Sequence, residues 1–263
     1  MSNLFYFILP ALGGYTVTSL YLLKNPHILH KRKCTVFHSK HISHRGGCGE
    51  RIESTMEAFT HAVEQGTGML ELDCHVTHDG HVVVSHDENL LRQTGHDVTL
   101  SSLDLKDLPL YKERLEVTFY AGRYSSGADR KFALLEDLFR KFPDVPVNIE
   151  IKENNCLLIQ KNPSMPYNFT VRRGVLLLLL FYSGLLPFVP LGESFLQFYF
   201  PRIINSTKTT PTLVSRIVIS NPWRGKKMTS FDIEAAFEVG ATGVMTDYPT
   251  LLSNYLSCNR CQD

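Results

Sequence analysis

The sequence predicts an α/β fold with parallel strands, held at a membrane by an N-terminal helix. Three observations predict it. Helix-like and strand-like stretches alternate through the polar body of the chain, the arrangement that gives parallel pairing. The length of 263 residues suits a single α/β barrel, which takes about 250. Ahead of both, residues 3–23 run without one charge. Composition excludes more than it assigns. A content of 43% hydrophobic and 20% charged residues excludes a disordered chain. The net charge of +1 offers no field for nucleic acid, which is not expected as a partner.

As a helix, Asn3–Leu23 spans about 31 Å, the thickness of a bilayer core. Lys24, Lys31, Arg32 and Lys33 follow it, whereas a cleaved signal peptide carries its positive charge in front. We read a signal anchor, with a cleaved signal or a buried helix as alternatives. Positive flanks stay on the cytosolic side, so the body of the chain faces the cytosol. Residues 1–33 form this anchor and its basic flank, and residues 34–263 form the second domain.

That domain begins with a short strand at Lys40–His44, ending in His44-Arg45-Gly46-Gly47. Ser54-Thr55-Met56-Glu57 reads as a capping box opening a helix that stops at Gly66. Met69–Val76 is strand-like, and Asp79-Gly80 marks a hairpin into His81–Ser85. Leu134–Phe142 is a helix and Val145–Lys152 a strand. Near the end, Phe231–Val239 is a helix stopped by Gly240, and Gly243–Asp247 is the last strand. A second uncharged run, Gly174–Gly192, follows Arg172-Arg173 and ends before Glu193. Pro187 and Pro190 break its far end, and a full second crossing would separate the halves of one domain. An interfacial or re-entrant segment fits, with a buried core helix as the alternative. Six cysteines (Cys34, Cys48, Cys74, Cys156, Cys258 and Cys261) are too dispersed for a disulfide framework. Cys258 and Cys261 lack the second half of a zinc site.

The chemistry lies along two strands. In Met69–His75, alternation puts Glu71, Asp73 and His75 on one face and Leu70, Leu72 and Cys74 on the other. Two carboxylates on one face repel, and burying them costs several kcal/mol each unless they are paired. A divalent cation relieves both problems. On the second strand Asn148, Glu150 and Lys152 share a face, which would complete a hard-oxygen site for Mg²⁺ or Ca²⁺. Spacing alone equally allows a polar outer face on two edge strands.

His44 and His86 lie just past strand ends and could share proton transfers near neutral pH. Arg45 could grip phosphate oxygens, with Lys152 as a point charge. Metal, two bases and two cations describe cleavage of a phosphoric ester. No Gly-rich phosphate loop, Gly-x-Ser-x-Gly elbow or dinucleotide fingerprint competes with that reading.

The set His44-Arg45-Gly46, Glu71-Leu72-Asp73, Asp79-Gly80, Ser85-His86-Asp87 and Asn148-Ile149-Glu150-Ile151-Lys152 resembles the glycerophosphodiester phosphodiesterase domain. Gly243–Pro249 resembles its closing strand. The anchor and the apolar insert resemble the membrane-anchored members that act as lysophospholipase D. The resemblance implies a TIM (β/α)8-type barrel with Glu71, Asp73 and Glu150 as metal ligands. It further implies His44 and His86 as acid and base, and Arg45 and Lys152 on the phosphate. The implied substrates are lysophospholipids or glycerophosphodiesters. The implied products are an alcohol of the choline or ethanolamine type and a phosphomonoester such as lysophosphatidic acid. The location implied is an endoplasmic reticulum or perinuclear membrane; nothing bears on oligomeric state.

Two departures stand out. Only Glu153–Asn162 fill the space where the family carries a long helix and a strand, so about one βα unit is missing. Trp223 is followed by Arg224-Gly225-Lys226-Lys227, without the asparagine the family shows there. Two readings result: an active membrane-bound phosphodiesterase, or a catalytically weak or inert protein with an incomplete barrel.

Overall fold

The computed structural model describes residues 3–31, 39–118, 122–152, 156–199, 217–220, 230–238 and 240–259. Arg32, Lys33, Cys34, Cys261 and the Trp223–Lys227 departure lie outside them. The chain opens with helix α1 (Asn3–Lys24), of which Tyr6–Lys24 is long and apolar enough to cross a membrane. It continues through β1 (His41–His44), α2 (Met56–Glu64), β2 (Met69–Val76) and β3 (Val82–Val84). Next come α3 (Leu91–Thr94), β4 (Arg114–Glu116), β5 (Tyr124–Ser126), β6 (Ala133–Leu134), α4 (Leu135–Lys141) and β7 (Val147–Ile151). The last part holds α5 (Cys156–Lys161), α6 (Val171–Tyr182), β8 (Leu196–Tyr199), β9 (Ile217–Ser220), α7 (Ser230–Glu238), β10 (Gly243–Thr246) and α8 (Pro249–Asn259).

Six strands run parallel in the order β7-β2-β1-β10-β9-β8. The first strand thus lies between the second and the last, as a barrel requires, with Ile42 opposite both Met69 and Met245. β3 turns back antiparallel along the end of β2, and β6 pairs β3. The fold is of the TIM-barrel type, but the barrel is not closed. Among the described residues no backbone pairing joins β7 to β8. Side chains stitch that seam: Asn148 donates to Gln197 Oε1 at 3.1 Å and Asn168 donates to Asn148 Oδ1 at 3.0 Å. The gap falls where the chain is short after Lys152.

The alternation of β2 decides what it buries. Leu70 and Leu72 pack outward with Phe59, Val84 and Leu138 beneath α2 and α4. A second cluster, Ile233, Ala236, Val244 and Leu252, joins α7 and α8 to β10. Glu71 and Asp73 point the other way, into the barrel. The reading of β2 as an edge strand with a polar outer face is therefore wrong, since β1 and β7 flank it.

The capping box also needs correction. Ser54 does not cap α2; Thr55 does, accepting from the Ala58 N–H at 3.2 Å. Ser54 sits at φ 59°, in the left-handed turn that brings its N–H back to the Arg45 carbonyl. Glu57 then faces the Asp129 N–H instead of the helix start. In the apolar insert, the chain forms α6 and a 3-10 turn at Leu186–Phe188.

Candidate active site

The C-terminal ends of β1, β2, β7 and β10 converge. Glu71 and Asp73 are 2% and 1% exposed, and Glu150 on the neighbouring strand is 56% exposed. Each offers a carboxylate oxygen within 4.8 Å of the others. The pairing of β2 with β7 sets Asp73 opposite Glu150, which is why carboxylates far apart in sequence meet. Both Asp73 oxygens are buried without a hydrogen bond. Their charge partners are ion pairs only, with Lys152 Nζ at 2.6 Å and Arg45 Nε at 3.7 Å. Burial pushes the Glu71 pKa up, and Asp73 adds to the push against the opposing charges of His44 and Arg45.

Lys152 leans over the same group, 2.6 Å from Asp73 and 2.8 Å from Glu150. Burial disfavours its ammonium, but the two carboxylates outweigh burial and hold its pKa above the usual value. A buried carboxylate held by ion pairs alone, among other hard oxygen donors, fits a hard divalent cation. Its ligands sit at about 2.0–2.6 Å, so donors on opposite sides stand up to about 5 Å apart.

His44 ends β1 and is turned by a residue from the last strand. Its Nδ1 lies 2.5 Å from Asp247 Oδ1, and its Nε2 faces Glu71 Oε2 at 4.0 Å. Burial works against the charged ring, but Asp247 and Glu71 prevail and raise its pKa. Cys48 donates to the same Asp247 oxygen at 2.9 Å. This is possible because Gly46 and Gly47, both at positive φ, fold the chain sharply after His44. At Gly47 a Cβ would lie 2.6 Å from the Pro249 ring, so only glycine lets the two loops meet.

Arg45 is inside the site but is not displayed on its surface. Its backbone N–H donates to Glu71 at 3.0 Å, while its guanidinium, 2% exposed, reaches Glu53 and Thr118 at 3.3 Å. Glu53 also binds Arg92 at 2.5 Å and Gln93 at 3.0 Å. Burial would raise the Glu53 pKa, but the two guanidiniums hold it below the usual range. Arg92 continues to Asp87 at 2.5 Å, and Asp87 holds His86 Nδ1 at 2.6 Å. His86 is thus fixed from the periphery of the site, through charges that trace back to Arg45. His75, on the carboxylate face of β2, contacts the His86 carbonyl at 3.4 Å.

All seven predicted residues lie in this one connected region. The sequence reading missed Asp247, Glu53, Asp87 and Arg92 as site residues. The Ser85-His86-Asp87 and Thr246-Asp247-Tyr248-Pro249 stretches carried the signal for two of them. Glu53 and Arg92 had none beyond being charged.

Comparison with known proteins agrees with this geometry. The model of the glycerophosphoryl diester phosphodiesterase family matches residues 44–166, which contain all seven predicted residues. Human "Lysophospholipase D GDPD3" is 41% identical over 97% of this chain and 97% of its own length. Human "Lysophospholipase D GDPD1" is 41% identical over 95% and 96%. The first alignment is 308 positions long against 263 residues here, so many positions of the relative have no counterpart in this chain. The crystal structure of glycerophosphodiester phosphodiesterase from Thermotoga maritima matches in fold, with a TM-score of 0.54 at 20% identity. That match covers 84% of this chain and 99% of the other. The chain therefore belongs to the glycerophosphoryl diester phosphodiesterase family, as a phosphodiesterase of the lysophospholipase D type.

Proposed function

We propose that the chain is a divalent-metal-dependent phosphodiesterase that cleaves lysophospholipids or glycerophosphodiesters into an alcohol and a phosphomonoester. The observation that carries this reading is the Asp73 carboxylate, buried without a hydrogen bond between Glu71 and Glu150. Glu71, Asp73 and Glu150 would hold the ion. When bound, a Mg²⁺ or Ca²⁺ ion supplies neutralisation of the charge that develops on the phosphoryl oxygens. With Nδ1–H given to Asp247, His44 Nε2 is the nitrogen that accepts or returns a proton. His86, held on Asp87, is its counterpart on the other side of the ester. Lys152 orients the phosphate by charge. Arg45, paired with Glu53 and buried, adds its positive charge beneath the phosphate.

Two relatives are named lysophospholipase D, which favours a lysophospholipid over a soluble diester. Lys24 and Lys31 behind α1 favour a cytosolic catalytic domain. The family resemblance adds an endoplasmic reticulum membrane. A weakly active form is favoured by one observation: Glu150 stands on β7, the strand beside the open seam, and is the most exposed of the three carboxylates.

Choline release from lysophosphatidylcholine, with and without chelator, tests the reading. Chelation or Glu71→Gln should cut the rate by ~10³-fold or more, the several kcal/mol that charge neutralisation contributes. Retention of the rate in either case would remove the carboxylates from catalysis. A thermal midpoint that does not move with Mg²⁺ or Ca²⁺ would favour the weak form.

A further inference from the structure

Outside the catalytic region, the two most apolar stretches of the chain are built against each other. Tyr15 Oη donates to the Ser183 carbonyl and Ser19 Oγ to the Gly184 carbonyl, both at 2.6 Å. The Tyr15 ring stacks on Phe188, and His30 Nε2 lies 2.8 Å from the Pro187 carbonyl. Gly184 is at φ 76°, and a Cβ there would meet Tyr15 Oη and Ser19 Oγ at 3.0 and 3.1 Å. Glycine is needed twice over, for the turn and for the seat. Ser19, Leu186 and Pro187 are buried in the contact.

We propose that α1 and the insert 171–188 form one bilayer-binding surface, in which the insert sits on the half of α1 nearest Lys24 and does not cross. Three observations name lipid as the occupant. First, three hydroxyls on the half of α1 nearest Lys24 are turned onto carbonyls: Thr16 donates to Leu12 O, and Tyr15 and Ser19 donate to the insert. Donors satisfied in this way suit hydrocarbon, where an unsatisfied polar group costs several kcal/mol. Second, α6 exposes an apolar stripe, with Val171 at 87%, Leu179 at 63% and Tyr182 at 83%, and α1 exposes Phe7, Leu12 and Val17. Third, both feet of the insert stand on the same side. Arg173 grips Glu193 at 2.5 Å, and residues 167–169 hydrogen-bond to 194–195 beside β8. Tyr15 and Ser19 lie about 14 and 8 Å up the helix from Lys24, about half of a ~30 Å hydrocarbon core at most. The turn at Ser183–Gly184 therefore enters one leaflet, and residues 3–14 of α1 continue without it.

Leu177 is not part of the lipid-facing surface. It is 3% exposed, so it packs inward while Leu178 and Leu179 face out.

This inference is independent of the reaction, and its test reads depth rather than turnover. In the full chain, Trp223→Phe removes the single native indole. Leu178→Trp or Leu185→Trp then places one on the insert, in phosphatidylcholine vesicles with or without bromine on the acyl chains. Loss of emission with acyl bromine, and protection from aqueous acrylamide, is the expected result. Quenching by acrylamide overturns it. Silence to both quenchers also overturns it, because the insert would then be covered by a second copy or another protein. Gly184→Val should abolish the bromine quenching at Leu185→Trp, and Ser19→Ala, which adds no volume, should weaken it. Unchanged quenching in both variants would show that the seat on α1 does not hold the insert.

Discussion

His41 opens β1 with its ring buried and its Nε2 without a hydrogen-bond partner. Burial pushes its pKa down to about 4 from 6.5. Between those values the unfolded chain binds the proton and the folded chain does not, so stability rises with pH and is lost as pH falls from about 6.5 to about 4. The gap is worth about 3 kcal/mol at the acid end. His41→Leu should flatten that part of the profile, as read by urea unfolding at pH 7 and pH 4.5. An unchanged slope would mean that the imidazole titrates in the folded chain as it does in water. Residue type was a poor guide here. Eleven histidines look alike in sequence. His44 differs from His41 only because its ring meets Asp247, 203 positions away. No local pattern encodes that meeting, so in sequence Asp247 is only the end of a strand and not the residue that turns the histidine.

At the scale of elements, alternation was legible and partnership was not. The carboxylate face of β2 follows from its own sequence, because side chains in a strand alternate whatever lies alongside. That β2 is interior depends on β1 and β7, and spacing could not supply them. The turn between β1 and α2 shows the same limit. Ser54-x-x-Glu57 matches a capping pattern, but the turn has to return to Arg45, and that spends Ser54 on a left-handed residue. The return places Glu53 between Arg45 and Arg92, almost fully buried. Glu53→Gln keeps the shape and removes the charge, leaving two guanidiniums short of a partner. Breaking a buried pair from one side costs about 3–5 kcal/mol. Thermal unfolding of the variant should show a loss of that order, with the far-ultraviolet spectrum retained below the transition. A loss under about 1 kcal/mol, the range of surface pairs, would mean that solvent reaches the network.

The whole molecule is an open barrel whose seam, among the described residues, is bridged by side-chain amides. The sequence announced a shortage of chain after Lys152, because length can be counted; it did not say which strands would border the gap. Asn148 bridges the seam in both directions, to Gln197 and from Asn168. Asn148→Ala removes both contacts, at about 1–3 kcal/mol for the groups left unpaired. Since Glu150 lies two residues along the same strand, the variant should also need more Mg²⁺ or Ca²⁺ for the same rise in thermal midpoint. A metal titration that superimposes on the parent would separate the seam from the site.

The same seam decides how the chain behaves in company. Among the described residues, the outer edges of β7 and β8 carry peptide groups that no neighbouring strand engages. Such groups accept any extended segment that presents its own, including the matching edge of another copy. Crowding, slow synthesis or mild heat would then draw copies together edge to edge before the core melts. Loss of protein on storage should accelerate with concentration, and a short β-forming peptide that occupies the gap would act as a preservative.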